Sequence, residues 1–167
     1  MLKAFVSMGI ASFLFGLFGV SWEKVDERIA REFPRVAHIS TEEFHSRLQA
    51  GPSPGALVID VREAEEFAVS HIEGAINIAR SEDIASRVAD KDTEILVYCS
   101  VGYRSAGVAS RLAELGYTNV KNLHHSIFEW ANRGYPLRNE LGQTDKVHPF
   151  NRAWGSLLNE ELHGEPD

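Results

Sequence analysis

The chain has 167 residues and a net charge of −7, from 17 Lys and Arg against 24 Asp and Glu. This length is typical of one domain, and the 44% share of apolar residues indicates a packed core. The negative net charge argues against binding nucleic acid through a basic surface. The single cysteine, Cys99, excludes an intramolecular disulfide and a cysteine-based zinc or iron–sulfur site.

The first 21 residues differ in character from the rest. Lys3 is their only charged side chain, and residues 4–20 are apolar or small. This order predicts a secretory signal peptide cleaved before Trp22, or an uncleaved membrane anchor. A buried N-terminal helix is the alternative, which the lack of a polar face at helical spacing disfavours. We therefore expect an exported bacterial protein, periplasmic or otherwise extracytoplasmic, anchored through residues 4–20 if the segment is retained.

The next segment, residues 22–35, is predicted to be a linker, and residues 36–138 to fold as one domain. Apolar runs at 56–59 and 95–98 are typical of buried parallel strands. Predicted strands at 38–39, 56–59, 75–78, 95–98 and 120–123 alternate with predicted helices that begin at Ser40 and cover 63–69, 81–88, 105–115 and 127–132. This alternation predicts an α/β fold with a parallel sheet.

Residues 139–167 are predicted to be a C-terminal extension. Phe150, Trp154, Leu157 and Leu158 are spaced as one stripe of a helix. We expect this helix to dock on the domain, and the alternative is a helix that binds the groove of a partner.

The chemistry is concentrated in residues 99–105, which read C-S-V-G-Y-R-S. Cys99 directly follows a predicted buried strand, and ligands of open α/β sheets bind at the carboxyl ends of strands. Loop amides, the dipole of the following helix and Arg104 all favour the thiolate, while Gly102 lets the backbone turn. We expect an exposed, readily oxidised thiolate that depends on an external reductant or rests as a persulfide. A buried inert cysteine is the alternative.

The spacing of the cysteine and the arginine separates two thiol chemistries. Tyrosine and dual-specificity phosphatases need Cys-x5-Arg, whereas Arg104 makes this loop Cys-x4-Arg and Ser105 stands where the phosphatase arginine would be. The shorter loop suits a smaller ligand, such as the outer sulfur of a persulfide. A small phosphatase or an arsenate reductase remains as the alternative.

The segment at 99–105 resembles the active-site loop of the rhodanese-like domain family, the single-domain sulfurtransferases. Three further segments resemble family motifs in the same order: I-D-V-R-E at 59–63 with Glu66 and Phe67, H-I-E-G-A-I-N-I at 71–78, and a closing segment from Asn122 to Pro136. The family commonly has a Gly-Gly pair in the closing segment, where this chain has His125 and Ser126.

The resemblance implies a three-layer α/β fold, with a central parallel sheet flanked by helices, and a sulfurtransferase that needs no cofactor. Cys99 would be the catalytic nucleophile and would take sulfane sulfur from a small anionic donor such as thiosulfate. The acceptor would be a thiol, cyanide or a sulfur-carrier protein. The alternative is a non-catalytic sulfur-carrier or partner-binding module. The expected substrate-binding residues are Ser100, Val101, Gly102, Tyr103, Arg104 and Ser105.

Further roles are expected for residues around the loop. Arg104 is expected to hold the anionic group of the donor or to order the loop, and Ser105 to cap the following helix. Asp60 and Arg62 are expected to form an ion pair that braces the fold. No metal site is expected: His124 and His125 are adjacent, no third ligand is spaced to join them, and we expect a rim role for them instead.

Overall fold

The computed structural model describes residues 19–51 and 53–165. The predicted signal peptide or anchor falls mainly on residues 1–18, which lie outside this range. Within the described range, no helix has both the length and the apolar character required to cross a membrane.

A parallel five-stranded sheet with the strand order β1-β5-β4-β2-β3 forms the centre of the protein. Its strands are β1 (Ala37–Ile39), β2 (Leu57–Asp60), β3 (Ile76–Asn77), β4 (Ile95–Tyr98) and β5 (Val120–Leu123). All four β4 side chains are buried because the strand is central and is covered on both faces. Asp60 pairs with Tyr98 and Asn122 with Val97, so the carboxyl ends of β2, β4 and β5 meet at one edge.

Helices cover both faces of the sheet. They are α1 (Trp22–Glu32), α2 (Thr41–Ala50), α3 (Ala64–Val69), α4 (Ser81–Arg87), α5 (Tyr103–Glu114) and α6 (Ser126–Asn132). Ile95 and Val97 pack in one apolar cluster with Leu112 of α5, whereas Leu96 and Tyr98 belong to a second cluster with Trp130 of α6. This alternation along β4 gives the three layers that the resemblance implies and confirms the α/β fold class.

Residues 22–35 contain a packed helix where a linker was predicted. Helix α1 is capped by Ser21, whose hydroxyl accepts the amide hydrogen of Lys24. Val25 and Ile29, four positions apart, are buried in the same apolar cluster as Tyr98. Charged residues dominate the rest of the helix, so its narrow apolar stripe is an amphipathic signal that the linker prediction overlooked.

The C-terminal extension docks on the domain, but not as the single helix that was predicted. Strands β6 (Leu137–Asn139) and β7 (Gly142–Thr144) form an antiparallel hairpin, followed by the short helix α7 (Arg152–Gly155) and a 3₁₀ turn (Glu160–Leu162). Leu158 of the predicted stripe is buried in the core. Phe150 has a φ of 65°, and Asn151 is the N-cap of α7, so the helix begins only after both residues.

Candidate active site

Cys99 lies directly after β4, at the edge where the carboxyl ends of three strands meet. Its Sγ accepts hydrogen bonds from the Gly102 amide at 3.2 Å and from the Ser105 hydroxyl at 3.4 Å. The residue is 1% exposed, so the expectation of an exposed thiol is wrong. The loop curls around the sulfur, as the bond from an amide three residues later shows. Two donors aimed at one sulfur stabilise negative charge on it.

Gly102 sets the start of the helix behind the loop. Helix α5 begins at Tyr103, and Gly102 is its N-cap, with a φ of 98°. This left-handed conformation favours glycine because a side chain there is strained. The helix-capping role expected for Ser105 is therefore wrong. Ser105 lies inside the first turn of α5, and its hydroxyl faces the sulfur of Cys99.

The start of α6 anchors the backbone of the loop. The Cys99 amide donates to the Ser126 hydroxyl at 3.1 Å. The Cys99 and Ser100 carbonyls accept from the amides of Ile127 at 3.2 Å and Phe128 at 3.0 Å. No sequence motif indicated Ser126 as a site residue, apart from its place in the unusual His-Ser pair. Its hydroxyl also donates to the Leu123 carbonyl, which ties the loop to the end of β5.

His125 and Ser126, which replace the usual glycine pair, both have left-handed backbone conformations, with φ of 57° and 50°. Such a conformation costs a non-glycine residue about 1–2 kcal/mol. The side chains supply interactions that glycine lacks, since Ser126 bonds to Cys99 and His125 contacts Asp26 of α1. The backbone at these two positions therefore has the left-handed conformation that glycine favours, and it also carries two side chains that make contacts.

Arg104 is paired with Glu66 of α3. Its two terminal nitrogens donate to the two carboxylate oxygens at 2.9 Å and 2.8 Å. The Ser100 hydroxyl donates to Glu66 at 3.0 Å and accepts from Arg104 at 2.9 Å. This network holds the loop against α3. Of the two roles expected for Arg104, the geometry supports loop ordering. Glu66 belongs to the second quoted motif, but the sequence did not indicate its role.

Opposing effects set the charge states of this pair. Burial alone would raise the pKa of Glu66, but the hydrogen bonds and charge of Arg104 outweigh it and hold that pKa below its ordinary value. Burial acts against the charge of Arg104, yet the hydrogen bonds and the charge of Glu66 raise the Arg104 pKa. Both groups are therefore ionised at neutral pH, and the cation of the loop is already neutralised by a carboxylate.

Asp60 and Arg62 form the expected ion pair at the end of β2. Arg62 Nη2 lies 2.6 Å from Asp60 Oδ2, and both side chains are fully buried. Arg62 Nη2 also donates to the Ser70 carbonyl at 2.6 Å. Burial would lower the pKa of Arg62, but the Asp60 carboxylate outweighs it and raises this pKa.

Two further loop side chains contact α1. Val101 is buried in the same apolar cluster as Ile29 of α1. The Tyr103 hydroxyl donates to Glu32 and accepts from Arg28, also of α1. The ring of Phe150 lies over the Arg104 guanidinium, and the distance from Arg104 Cζ to the ring centre is 4.7 Å. The C-terminal extension therefore reaches the active-site loop, a contact that no sequence motif indicated.

One group of side chains in the described part of the chain has the composition of a metal site: Asp26, His124 and His125. The expectation that no third ligand accompanies the two histidines did not consider Asp26, which lies 98 positions before His124. Helix α1, taken for a linker, brings it there.

The family model described as Rhodanese-like domain matches residues 40–133, more than half of the chain. The chain is 43% identical over 67 residues to thiosulfate sulfurtransferase PspE of Escherichia coli, a match that covers 38% of this chain and 64% of that protein. It is 33% identical over 84 residues to thiosulfate sulfurtransferase GlpE of Haemophilus influenzae, which covers 50% of this chain and 80% of that protein.

Two further matches are one relative with a different name and one solved structure. The chain is 29% identical over 162 residues to a tRNA uridine(34) hydroxylase of Escherichia coli, a match that covers 87% of this chain but only 45% of that protein. Among solved structures, the solution structure of the rhodanese-like domain from Anabaena sp. Alr3790 superposes with a TM-score of 0.55 and 26% identity. That superposition covers 61% of this chain and 78% of the other.

Proposed function

Because the chain belongs to the rhodanese-like domain family, we propose that it is a thiosulfate sulfurtransferase-like enzyme that carries sulfane sulfur as a persulfide on Cys99. Relatives named thiosulfate sulfurtransferases support the reaction class. The observation that carries the proposal is the pair of hydrogen bonds from Gly102 and Ser105 to the Cys99 sulfur. These donors stabilise an anionic sulfur without a proton transfer, so the chemistry needs no separate general base.

The first half-reaction forms the persulfide. The Cys99 thiolate attacks the outer sulfur of a small anionic donor such as thiosulfate, and a new sulfur–sulfur bond forms at Sγ. The sulfur–sulfur bond of thiosulfate breaks, and sulfite leaves with the electron pair. The outer sulfur then bears the negative charge, and we expect the Gly102 amide and the Ser105 hydroxyl, which bond to Sγ in the structure, to help stabilise it.

The second half-reaction returns the thiolate. A thiophilic acceptor, which is a thiol, cyanide or a sulfur-carrier protein, attacks the outer sulfur of the persulfide. The bond to Sγ breaks and Cys99 leaves as a thiolate with its electron pair. The enzyme alternates between two stable forms, so ping-pong kinetics are expected.

The pairing of Arg104 with Glu66 favours a second candidate function. The loop cation is already neutralised, and Cys99 is 1% exposed. A free anionic donor therefore meets little unpaired positive charge in the loop. Under this alternative, the domain is a sulfur carrier that receives sulfur from a partner protein and does not turn over small donors.

A role on tRNA, the substrate named for one relative, is disfavoured. The chain has a net charge of −7, and it spans less than half of that relative. Binding a polyanion requires a basic surface that releases counterions.

Steady-state transfer of sulfur from thiosulfate to cyanide tests the proposal, with Cys99→Ser as the inactive control. We expect turnover that the substitution abolishes. A persulfide on Cys99 detected by intact mass spectrometry without turnover would favour the carrier function. Failure of Cys99 to take up sulfane sulfur from any donor would exclude both functions.

We also propose that residues 1–21 direct export, because residues 4–20 are apolar and follow a single lysine. Intact mass spectrometry of protein from its native host, combined with cell fractionation, tests this. A mature chain that begins at Trp22, or a full chain in the membrane fraction, is the expected result. A full-length chain in the soluble cytoplasmic fraction would contradict it.

A further inference from the structure

Two imidazoles converge on one carboxylate beside the active-site loop. His124 Nε2 lies 2.9 Å from Asp26 Oδ1, and His125 Nε2 lies 3.0 Å from the same oxygen and 3.2 Å from Oδ2. Asp26 comes from α1, and the histidines come from the turn between β5 and α6. The three ligand atoms, one from each residue, all lie within 4.8 Å of one another.

We propose that Asp26, His124 and His125 bind one Zn²⁺ ion. Two imidazole nitrogens and one carboxylate oxygen form a donor set that zinc prefers, whereas magnesium and calcium favour oxygen ligands alone. Zinc bonds of about 2.0–2.1 Å in tetrahedral geometry place ligand atoms roughly 3.3–3.4 Å apart, so small side-chain rotations suffice. Asp26 and His124 are partly exposed, which leaves them free to make these rotations.

The surroundings of His125 match those of a metal-binding histidine. Its other ring nitrogen, Nδ1, lies 3.4 Å from Glu129 Oε2. Metal-binding histidines commonly donate this second ring nitrogen to a carboxylate, which fixes the tautomer and the orientation of the ring, and Glu129 is the carboxylate nearest to that nitrogen here. The Trp22 ring packs against the imidazole with 4.2 Å between ring centres. His125 is therefore oriented from two sides before an ion arrives.

A fourth ligand position has room on the open side of the cluster. Asp26 and His124 line a cavity of about 400 Å³ together with His38 and Ser40. Water, or a rearranged His38, would complete four-coordinate geometry there. The ion would pin α1 to the turn that precedes Ser126, the residue whose hydroxyl bonds to the Cys99 amide. Zinc binding would thus stabilise the packing of α1 on the active-site side of the domain.

Isothermal titration of the full, metal-free chain with ZnCl₂ tests the proposal. All measurements use a Cys99→Ser background, because the thiol of the single cysteine would itself bind zinc. We expect one Zn²⁺ per chain and a higher melting temperature with zinc. Asp26→Asn and His125→Gly should each lower the affinity by about tenfold or more. Glycine suits the φ of 57° at position 125, so that variant is expected to fold.

His45→Gln is the matched control, since His45 stacks on Tyr135 elsewhere in the fold and should leave zinc affinity unchanged. Absence of zinc binding in the Cys99→Ser chain would overturn the proposal. Equal affinity in Asp26→Asn or in His125→Gly would also overturn it. These readouts do not depend on sulfur transfer, so they are separate from the test of the proposed enzyme.

Discussion

The Ser126 hydroxyl accepts the amide hydrogen of Cys99 at 3.1 Å, across 27 positions of the chain. Both residues are buried, so the amide has no access to bulk water. We predict that Ser126→Ala lowers the free energy of unfolding by about 1–3 kcal/mol, because it leaves a buried donor unpaired. Urea denaturation measures this change. Sulfur transfer should fall as well, since the loop loses an anchor. A variant as stable as the parent chain would show that the bond is not needed.

The ion pair between Glu66 and Arg104 predicts a pH-dependent stability. The folded pKa of Glu66 lies below its ordinary value of 4.5. The native state therefore favours the ionised carboxylate of Glu66, which adds to the free energy of unfolding. This contribution is complete above the pKa of Glu66 in the unfolded chain, and it is lost as the pH falls through the pKa of Glu66 in the folded protein. Urea unfolding between about pH 7 and pH 3 should show Glu66→Gln less stable than the parent at neutral pH, with a difference that shrinks in acid.

Glu65→Gln is the control for this comparison because Glu65 is an exposed neighbour on the same helix. Its stability should follow that of the parent at every pH. A difference between Glu66→Gln and the parent that stays constant down to the lowest pH would contradict the assignment.

The burial of Cys99 predicts selective reactivity toward thiol reagents. At 1% exposure, Cys99 presents almost no surface to a reactant in solution. We expect iodoacetamide to alkylate native Cys99 about tenfold or more slowly than Cys99 in urea, because burial restricts access to the thiolate. Mass spectrometry over time measures both rates. Equal rates would mean that the thiol is freely exposed in solution.

The buried pair of Asp60 and Arg62 predicts strong dependence of each residue on the other. Arg62→Met should cost about 3–5 kcal/mol of stability, because it leaves the Asp60 charge buried and unpaired. The double variant Asp60→Asn with Arg62→Met should lose less, since no charge remains. Chemical denaturation of the parent, both single variants and the double variant measures the coupling. We attribute to the ion pair mainly the role of offsetting the cost of burying its two charges. A double variant less stable than Arg62→Met would contradict this.

The burial of Ile29 predicts that α1 is part of the folded domain. Ile29 is 3% exposed, and Ile29→Ala should cost about 2–5 kcal/mol because it leaves a cavity in the core. Glu27→Ala, on the exposed side of the same helix, should change stability by less than about 0.5 kcal/mol. Thermal and urea denaturation compare them. Equal small effects would mean that residues 22–35 behave as the linker first predicted.

The sequence by itself determined the order of the elements between residues 37 and 132 and the position of the nucleophile. The apolar run at 95–98 predicted a buried central strand, and the fold places Cys99 directly after it. These features depend on local patterns, since apolar periodicity and a glycine that tolerates positive φ act within a few residues. The pair of Asp60 and Arg62 was predictable for the same reason, because only two positions separate them.

Only the tertiary structure decided the partners of the active-site loop. Glu66 meets Arg104 from 38 positions away, and Asp26 meets His124 from 98. Such pairs form because parallel strands bring their carboxyl ends to one edge and helices pack over that edge, which no local pattern specifies. The burial of Cys99 and the cluster of Asp26, His124 and His125 both depend on such long-range contacts. The nucleophile and its loop could thus be predicted from residues close together in the sequence. The charged groups that surround the loop could not, because tertiary packing brings them there.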